Sequence, residues 1–182
     1  YIGVLPDAPQ SFGNFLRIRI FDKVPFKNVY YLNGHATDLE EECTRYTSLL
    51  SQFPTDIVCL GIGENGHIAF NDPDVANFND HKLVKIVKLD HVCRQQQVNE
   101  KCFETLEQVP TEALTLTIPA LLKAKWMFCI VPFKNKAQAV YRTIHGDISE
   151  KCPASILRRK EKSSLYLDTE SAQLLNLYLL IF

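Results

Sequence analysis

The residues best suited to chemistry lie in one loop, segment 61–73. It contains His67 and, five positions later, Asp72, with Asn65 shortly before the histidine. An imidazole takes up and releases protons near neutral pH, and a nearby carboxylate can orient it and stabilise its charged form. Taken alone, a loop histidine is as readily an ordinary surface residue. The spacing therefore allows acid–base chemistry at His67, supported by Asp72, without requiring it.

The residues before this loop must position it. Residues 57–60 are apolar and partly β-branched, which predicts a strand covered on both faces of a parallel sheet. Gly61, Gly63 and Gly66 follow, where the missing side chains allow a sharp turn or the close approach of a ligand. Ligands of open α/β sheets bind outside the carboxyl ends of the strands, so Gly63 and Gly66 are predicted to contact the substrate.

The three glycines also match the G-x-G-x-x-G dinucleotide-binding pattern, and Asp90 lies where its ribose-binding acid would be expected. That pattern requires a helix that begins at the third glycine. Residues 67–80 contain a proline and several Asn and Asp residues and show no helical period. We therefore reject a nicotinamide site.

Apolar segments of strand and helix character alternate along the chain. They predict an α/β fold with a three-layer, Rossmann-like open sheet, mostly parallel, and helices on both faces. The predicted helices are 11–21, 38–53 capped by Asp38, 94–103 after Asp90, 120–124, a segment after Pro132 and a last helix capped by Asp168 or Thr169; the predicted strands are 29–32, 57–60, 83–89, 109–119, 126–131 and 165–167. Segment 74–81 is predicted to be a loop beside the site.

Composition agrees with one small enzyme domain, residues 1–182, because 46% hydrophobic content can bury one substantial core. The formal net charge of −1 gives no electrostatic case for nucleic acid or for an anionic membrane. The six cysteines form no C-x-x-C pair and are predicted to be reduced core thiols of a cytoplasmic protein. Residues 1–19 lack the basic start and apolar run of a signal peptide.

Segment 61–73, Gly-Ile-Gly-Glu-Asn-Gly-His-Ile-Ala-Phe-Asn-Asp-Pro, resembles the active-site motif of glucosamine-6-phosphate deaminases, also called isomerases. The related 6-phosphogluconolactonases share the Gly-His pair but usually diverge directly after it. The resemblance covers residues 1 to about 175 and is also carried by segments 1–6, 32–34, 109–124 and 136–137.

The resemblance implies conversion of glucosamine-6-phosphate to fructose-6-phosphate and ammonia, with a small sugar phosphate as the partner and no metal or organic cofactor. It implies that His67 moves a proton to and from the ring oxygen and that Lys136 binds the phosphate. A tyrosine at the position of Tyr1 closes an Asp-Glu-Tyr triplet in the family. The aspartate of that triplet takes the proton from C2, and a glycine-rich loop cradles the phosphate; both would precede Tyr1.

Three positions depart from the family pattern. Asp72 stands where glutamate is usual and is one methylene shorter, so its contact with His67 is expected to need a water or a shifted loop. Asn65 stands where many members have aspartate. The phosphate-binding arginine of the family would fall within segment 97–100, which contains none, and Arg94 lies about one turn earlier.

These departures keep two other functions open: a non-catalytic sugar-phosphate-binding or regulatory protein, and a lactone hydrolase of the 6-phosphogluconolactonase type. Residues 174–182 are too short to span a bilayer and too apolar to be left in water. On that ground we predict a homo-oligomer.

Overall fold

The computed structural model describes residues 1–175. Five helices and five strands follow one another in the order α1 (Phe12–Leu16), α2 (Leu39–Gln52), β1 (Ile57–Leu60), β2 (Val84–Lys88), α3 (His91–Asn99), β3 (Glu112–Leu116), α4 (Ile118–Leu122), β4 (Trp126–Val131), α5 (Ala137–His145) and β5 (Ser163–Leu167). A π-helical segment extends α1, and 3-10 turns form at Leu106–Gln108, Lys134–Lys136 and Pro153–Arg159. The order agrees with most of the predicted elements.

Three of the strands form a parallel sheet in which β4 lies between β1 and β5. Ile57 is opposite Trp126, and Met127 is opposite Ser163. The carboxyl ends of all three strands therefore meet at one edge of the sheet. The predicted α/β fold with parallel strands is confirmed. The other two strands, β2 and β3, pair antiparallel with each other, which the sequence analysis did not predict.

The main core lies against one face of the parallel sheet. Met127, Cys129 and Val131 of β4 are buried there with Ile68 and Val140. On the opposite face Ile57, Ile130 and Tyr166 are 49–55% exposed within the described residues. The expectation that β1 is covered on both faces thus does not hold within residues 1–175.

Two predicted elements differ from the structure. Segment 29–32 is not a strand, because its carbonyl groups accept hydrogen bonds from side chains of α2: Tyr31 O from Arg45 and Tyr30 O from Tyr46. Helix α3 ends at Asn99 and not at residue 103, because Lys101 adopts a left-handed conformation with φ of +60°.

Two further predictions concern membrane crossing and the end of the chain. None of the helices within residues 1–175 has the length and apolar character needed to cross a membrane. Most of the apolar segment 174–182 lies outside the described residues. The beginning of the last predicted helix, residues 169–174, forms turns and not a regular helix, and Asp168 Oδ1 accepts from Ser171 N there at 2.7 Å.

Candidate active site

The loop after β1 folds back on itself and holds the predicted chemical residues at the carboxyl edge of the sheet. Gly63 N donates to His67 O at 3.0 Å, and Gly66 N donates to Gly63 O at 2.9 Å. Gly66 has φ of +92°, a conformation that a side chain would strain. As expected, no helix begins at Gly66, so the loop lacks the geometry of a dinucleotide-binding turn.

The imidazole of His67 is held by two oxygen atoms. Its Nδ1 lies 2.9 Å from Asp72 Oδ1 and 2.8 Å from Asn65 Oδ1. Asn65 Nδ2 donates to Asp72 Oδ1 and to Asp90 Oδ2, so the amide oxygen of Asn65 must face the ring. Because both neighbours of Nδ1 are acceptors, the proton of a neutral ring belongs on Nδ1 and Nε2 stays available. The contact with Asp72 is direct, so of the two arrangements expected for its shorter side chain, a bridging water or a shifted loop, the water is not needed.

Asp72 is fully buried, yet it is held in the charged form. Burial by itself would raise its pKa, but hydrogen bonds from His67 and Asn65, together with the charge of His67, outweigh it and leave the pKa of Asp72 below its usual value. The backbone N–H of Asp90 also donates to Asp72 Oδ2 at 3.3 Å. The carboxylate of Asp72 therefore stays ionised beside the imidazole.

The glycines of the loop make room for the protein itself. A Cβ on Gly63 would lie 2.1 Å from His67 Cε1, and a Cβ on Gly66 would lie 2.7 Å from Cys152 Sγ. The imidazole therefore lies directly against the backbone of residue 63. The contact of a substrate with Gly63 and Gly66 remains a prediction, and the packing gives a separate reason for glycine at both positions.

Lys136 lies at the same edge of the sheet, between β4 and α5, and it is almost fully buried. Its ammonium group is 3.3 Å from Glu100 Oε1. Neighbouring Asn135 donates to the Glu64 carboxylate at 2.7 Å, which joins this segment to the loop of His67. The predicted phosphate lysine and the predicted catalytic histidine are thus on adjacent loops.

Tyr1 packs into an aromatic cluster with Phe12, Phe70 and Phe103, with ring centroids 5.1–5.7 Å from that of Tyr1. Its hydroxyl is buried and has no hydrogen-bond partner within the described residues. Burial, followed by charges that include Glu100 and Asp72, raises the pKa of the Tyr1 hydroxyl. Because Phe70 lies three residues after His67, the ring of Tyr1 packs beside the loop of the histidine, and its contact with substrate remains a prediction.

One group of potential metal ligands occurs in the described part of the chain. The donor atoms of His67, Asp72 and Cys93 all lie within 4.8 Å of one another. Burial and the nearby carboxylates of Asp72 and Asp90 raise the pKa of the Cys93 thiol. A metal ligand must be a thiolate, so this environment disfavours metal binding.

Two clefts of about 450 and 480 Å³ lie next to each other and share Gln10, Phe103 and Glu104 in their walls. Neither is lined by His67 or Lys136. Phe103 contacts the ring of Tyr1, which connects these clefts to the site through one aromatic side chain.

Several residues of the site were missed or underestimated from sequence. Asp90 caps α3 as predicted, but it also holds Asn65. Gln96 is buried and accepts a hydrogen bond from the backbone N–H of Glu64. Glutamine on the buried face of a helix was the available signal, because buried amides need polar partners. Arg94 binds the carbonyl groups of Leu106 and Val109, so it has a structural role.

The fold and the site define an α/β protein with a carboxylate-held histidine and a lysine at the carboxyl edge of a parallel sheet. The sequence model of the Glucosamine-6-phosphate isomerases/6-phosphogluconolactonase family matches residues 3–166. The chain belongs to this family.

Individual relatives agree with this assignment. The glucosamine-6-phosphate deaminase of Bacillus cereus (strain B4264) is 41% identical over 174 residues, which is 96% of this chain and 64% of the relative. The chain thus spans less than two thirds of the length of this relative. The structure of a monomeric glucosamine-6-phosphate deaminase of the NagB superfamily matches with a TM-score of 0.89 and 36% identity, over 96% of this chain and 71% of the other. A 6-phosphogluconolactonase from Trypanosoma cruzi shares the fold, with a TM-score of 0.71 and 18% identity, over 95% and 69% of the two chains.

Proposed function

We propose that the protein is an amino-sugar phosphate deaminase that converts glucosamine-6-phosphate and water to fructose-6-phosphate and ammonia. The observation that carries the proposal is the imidazole of His67, whose Nδ1 is held by Asp72 and Asn65. This arrangement leaves Nε2 to exchange a proton with a ligand. The names of the relatives at about 40% identity support the same activity.

The reaction needs three steps, and each is general acid–base chemistry. The sugar ring opens, a proton moves from C2 toward C1, and water hydrolyses the resulting imine to release ammonia. His67 carries the proton to and from the ring oxygen, and Asp72 stabilises the imidazolium that forms. Asn65 holds the ring through its amide oxygen. Lys136 binds the phosphate as a charged donor.

The group that takes the C2 proton is proposed to be an aspartate of an Asp-Glu-Tyr triplet completed by Tyr1. The contact of the Tyr1 ring with Phe70, three residues after His67, supports placing the triplet at this site. The amino-acid sequence directly before Tyr1 in the encoded protein tests this proposal. An Asp-Glu pair at these two positions would support the enzyme. Residues without a carboxylate there would favour the sugar-phosphate-binding function.

The oligomeric state and the compartment also remain proposals. A homo-oligomer was predicted from segment 174–182, most of which lies outside the described residues, whereas the similar deaminase of known structure is monomeric. Sedimentation at micromolar concentration distinguishes the two, and a monomer would contradict our prediction. The six cysteines are free thiols, which fits the predicted cytoplasmic location, but Cys59 is exposed and is therefore not the core thiol that was predicted.

Ammonia release from glucosamine-6-phosphate by the complete encoded protein tests the main proposal. We expect His67→Ala to lower kcat by about 100-fold or more, because positioned acid–base groups contribute about 100- to 10,000-fold. His81→Ala is the matched control, since His81 is exposed in the loop after the site. Hydrolysis of 6-phosphogluconolactone without ammonia release would favour the lactonase. Sugar-phosphate binding without either activity would favour the non-catalytic protein.

A further inference from the structure

Lys136, the lysine proposed to bind the substrate phosphate, already has a carboxylate beside its ammonium group. Lys136 is 7% exposed, and its ammonium group has one ionic partner within the described residues, the carboxylate of Glu100. The Glu100 side chain is 39% exposed and approaches from the end of α3. A phosphate that binds Lys136 must therefore reach a buried cation whose exposed side is covered by a carboxylate.

Helix structure does not explain an acid at this position. Glu100 is the C-cap of α3, where the carbonyl dipoles of the helix already place partial negative charge. A glutamate is locally unfavourable there, and two side chains compensate, one from α3 itself and one from outside the helix. Lys136 and the amide of Gln96 both approach Glu100 Oε1, at 3.3 and 2.8 Å. One contact within α3 and one tertiary contact with Lys136 thus hold this carboxylate in place.

The same contacts reach the loop of His67. Gln96 Nε2 donates to Glu100, while Gln96 Oε1 accepts from the backbone N–H of Glu64, three residues before His67. Movement of the Glu100 carboxylate would therefore release one side of Gln96. A ligand bound to Lys136 would therefore affect the contacts of the loop that holds His67.

We propose that Glu100 is a specificity-determining residue of this site. Its carboxylate occupies the position on Lys136 that the phosphate of a ligand must take, so that binding exchanges one anion for another. The proposal rests on the proposed role of Lys136 in phosphate binding. It implies that the site discriminates against doubly charged phosphate ligands unless their other contacts compensate for displacing Glu100.

Binding measurements on the complete protein test this inference without turnover. The probes are inorganic phosphate and, in the absence of ammonia, fructose-6-phosphate. Calorimetry measures the binding of each probe. Removing one carboxylate near the bound phosphate relieves a repulsion that is only partly screened by solvent. We expect Glu100→Gln to bind both probes about tenfold more tightly and to bind neutral fructose no better. Glu161→Gln, which removes an equal charge at an exposed turn, is expected to match the wild type.

Two further variants keep the test decisive. Glu100→Asp retains the charge on a shorter side chain and is expected to bind phosphate with an intermediate affinity. This variant still tests the inference if Glu100→Gln folds poorly. Adding Lys136→Met to Glu100→Gln should remove the gain. Equal, weaker or unmeasurable phosphate binding by a folded Glu100→Gln variant would overturn the inference.

This outcome is separate from that of the proposed function. Tighter phosphate binding by Glu100→Gln in a protein that releases no ammonia would support the inference and contradict the deaminase. Ammonia release by a protein whose phosphate affinity is unchanged in Glu100→Gln would support the deaminase and overturn the inference.

Discussion

The imidazole of His67 lies in the space that a side chain on residue 63 would occupy. The contact is so close that even a methyl group would overlap the ring, at 2.1 Å from Cε1. The position of the histidine thus depends on glycine at a residue that carries no functional group. Acid–base catalysis is sensitive to such a shift, because a misplacement of about 1 Å can cost about 100-fold in rate.

Gly63→Ala should therefore displace the imidazole and lower kcat for ammonia release by about 100-fold. Gly61→Ala is the matched control, because the nearest atom to its Cβ is Ile130 O at an ordinary 3.4 Å. Initial rates for both variants test the prediction. Full activity in Gly63→Ala would mean that the ring can function elsewhere.

Asp72 is proposed to act on the reaction through His67, which it contacts at 2.9 Å. Asp72→Asn keeps the shape of the side chain but removes the charge that supports the imidazolium. We expect kcat to fall by roughly 100-fold while the affinity for fructose-6-phosphate changes little, because Asp72 does not contact Lys136, the lysine proposed to bind phosphate. Asp74→Asn, at an exposed carboxylate of the same loop, should retain the rate. A large loss of affinity would instead assign Asp72 to substrate binding.

At the scale of elements, Asp90 links the start of α3 to the site. Its Oδ1 caps the helix by accepting from Cys93 N at 2.6 Å, while its Oδ2 accepts from Asn65 Nδ2 at 2.8 Å. One carboxylate thus stabilises a helix and orients the amide that holds His67. The sequence indicated only the first of these roles.

Two substitutions can separate the roles of Asp90. Asp90→Ala should lower the free energy of unfolding by about 1 kcal/mol, the usual effect of losing an N-cap, and should also reduce activity. A serine can still cap the helix but lacks the second oxygen, so Asp90→Ser should recover most of the stability and little of the activity. Urea unfolding and ammonia release measure the two effects. Wild-type activity in Asp90→Ser would show that the link to Asn65 is dispensable.

For the whole molecule, buried carboxylates make stability sensitive to acid. Glu42 is 5% exposed and accepts hydrogen bonds from Arg45 and from Asn33 N, so it joins α2 to the segment before it. The hydrogen bond from Arg45 is the main reason that the pKa of Glu42 lies below its ordinary value of 4.5. The pKa of Asp72 likewise lies below its ordinary value of 3.8. Both groups bind protons more readily when the chain is unfolded.

The free energy of unfolding should therefore be nearly constant above about pH 5 and should fall as the pH drops through the lowered native pKa values. Glu42→Gln should flatten part of this acid dependence and should cost about 2 kcal/mol at pH 7, because a buried hydrogen bond to a charged group is lost. Glu41→Gln, at an exposed neighbour, is the control. Urea unfolding between pH 3 and 7 measures both. Equal acid dependence in Glu42→Gln and the wild type would contradict this assignment.

Elements governed by neighbours in the chain could be predicted. Asp38 caps α2, and the apolar run of β4 forms a strand, because capping and burial depend on residues a few positions apart. Segment 29–32 also has strand character, but its carbonyl groups are bound by side chains from α2. The antiparallel partner of β2 could not be read from its own residues, since pairing depends on a strand more than twenty positions away.

The amino-acid sequence by itself determined the order of helices and strands and the presence of a histidine, an amide and a carboxylate in one glycine-rich loop. These features depend on local backbone preferences and on covalent spacing. Only the tertiary structure decided that Glu100 lies on Lys136 and that Asp90 and Cys93 lie beside His67. Residues 36 positions apart come within hydrogen-bond distance because the end of α3 lies beside Lys136 in the folded chain, and no local pattern encodes that distance.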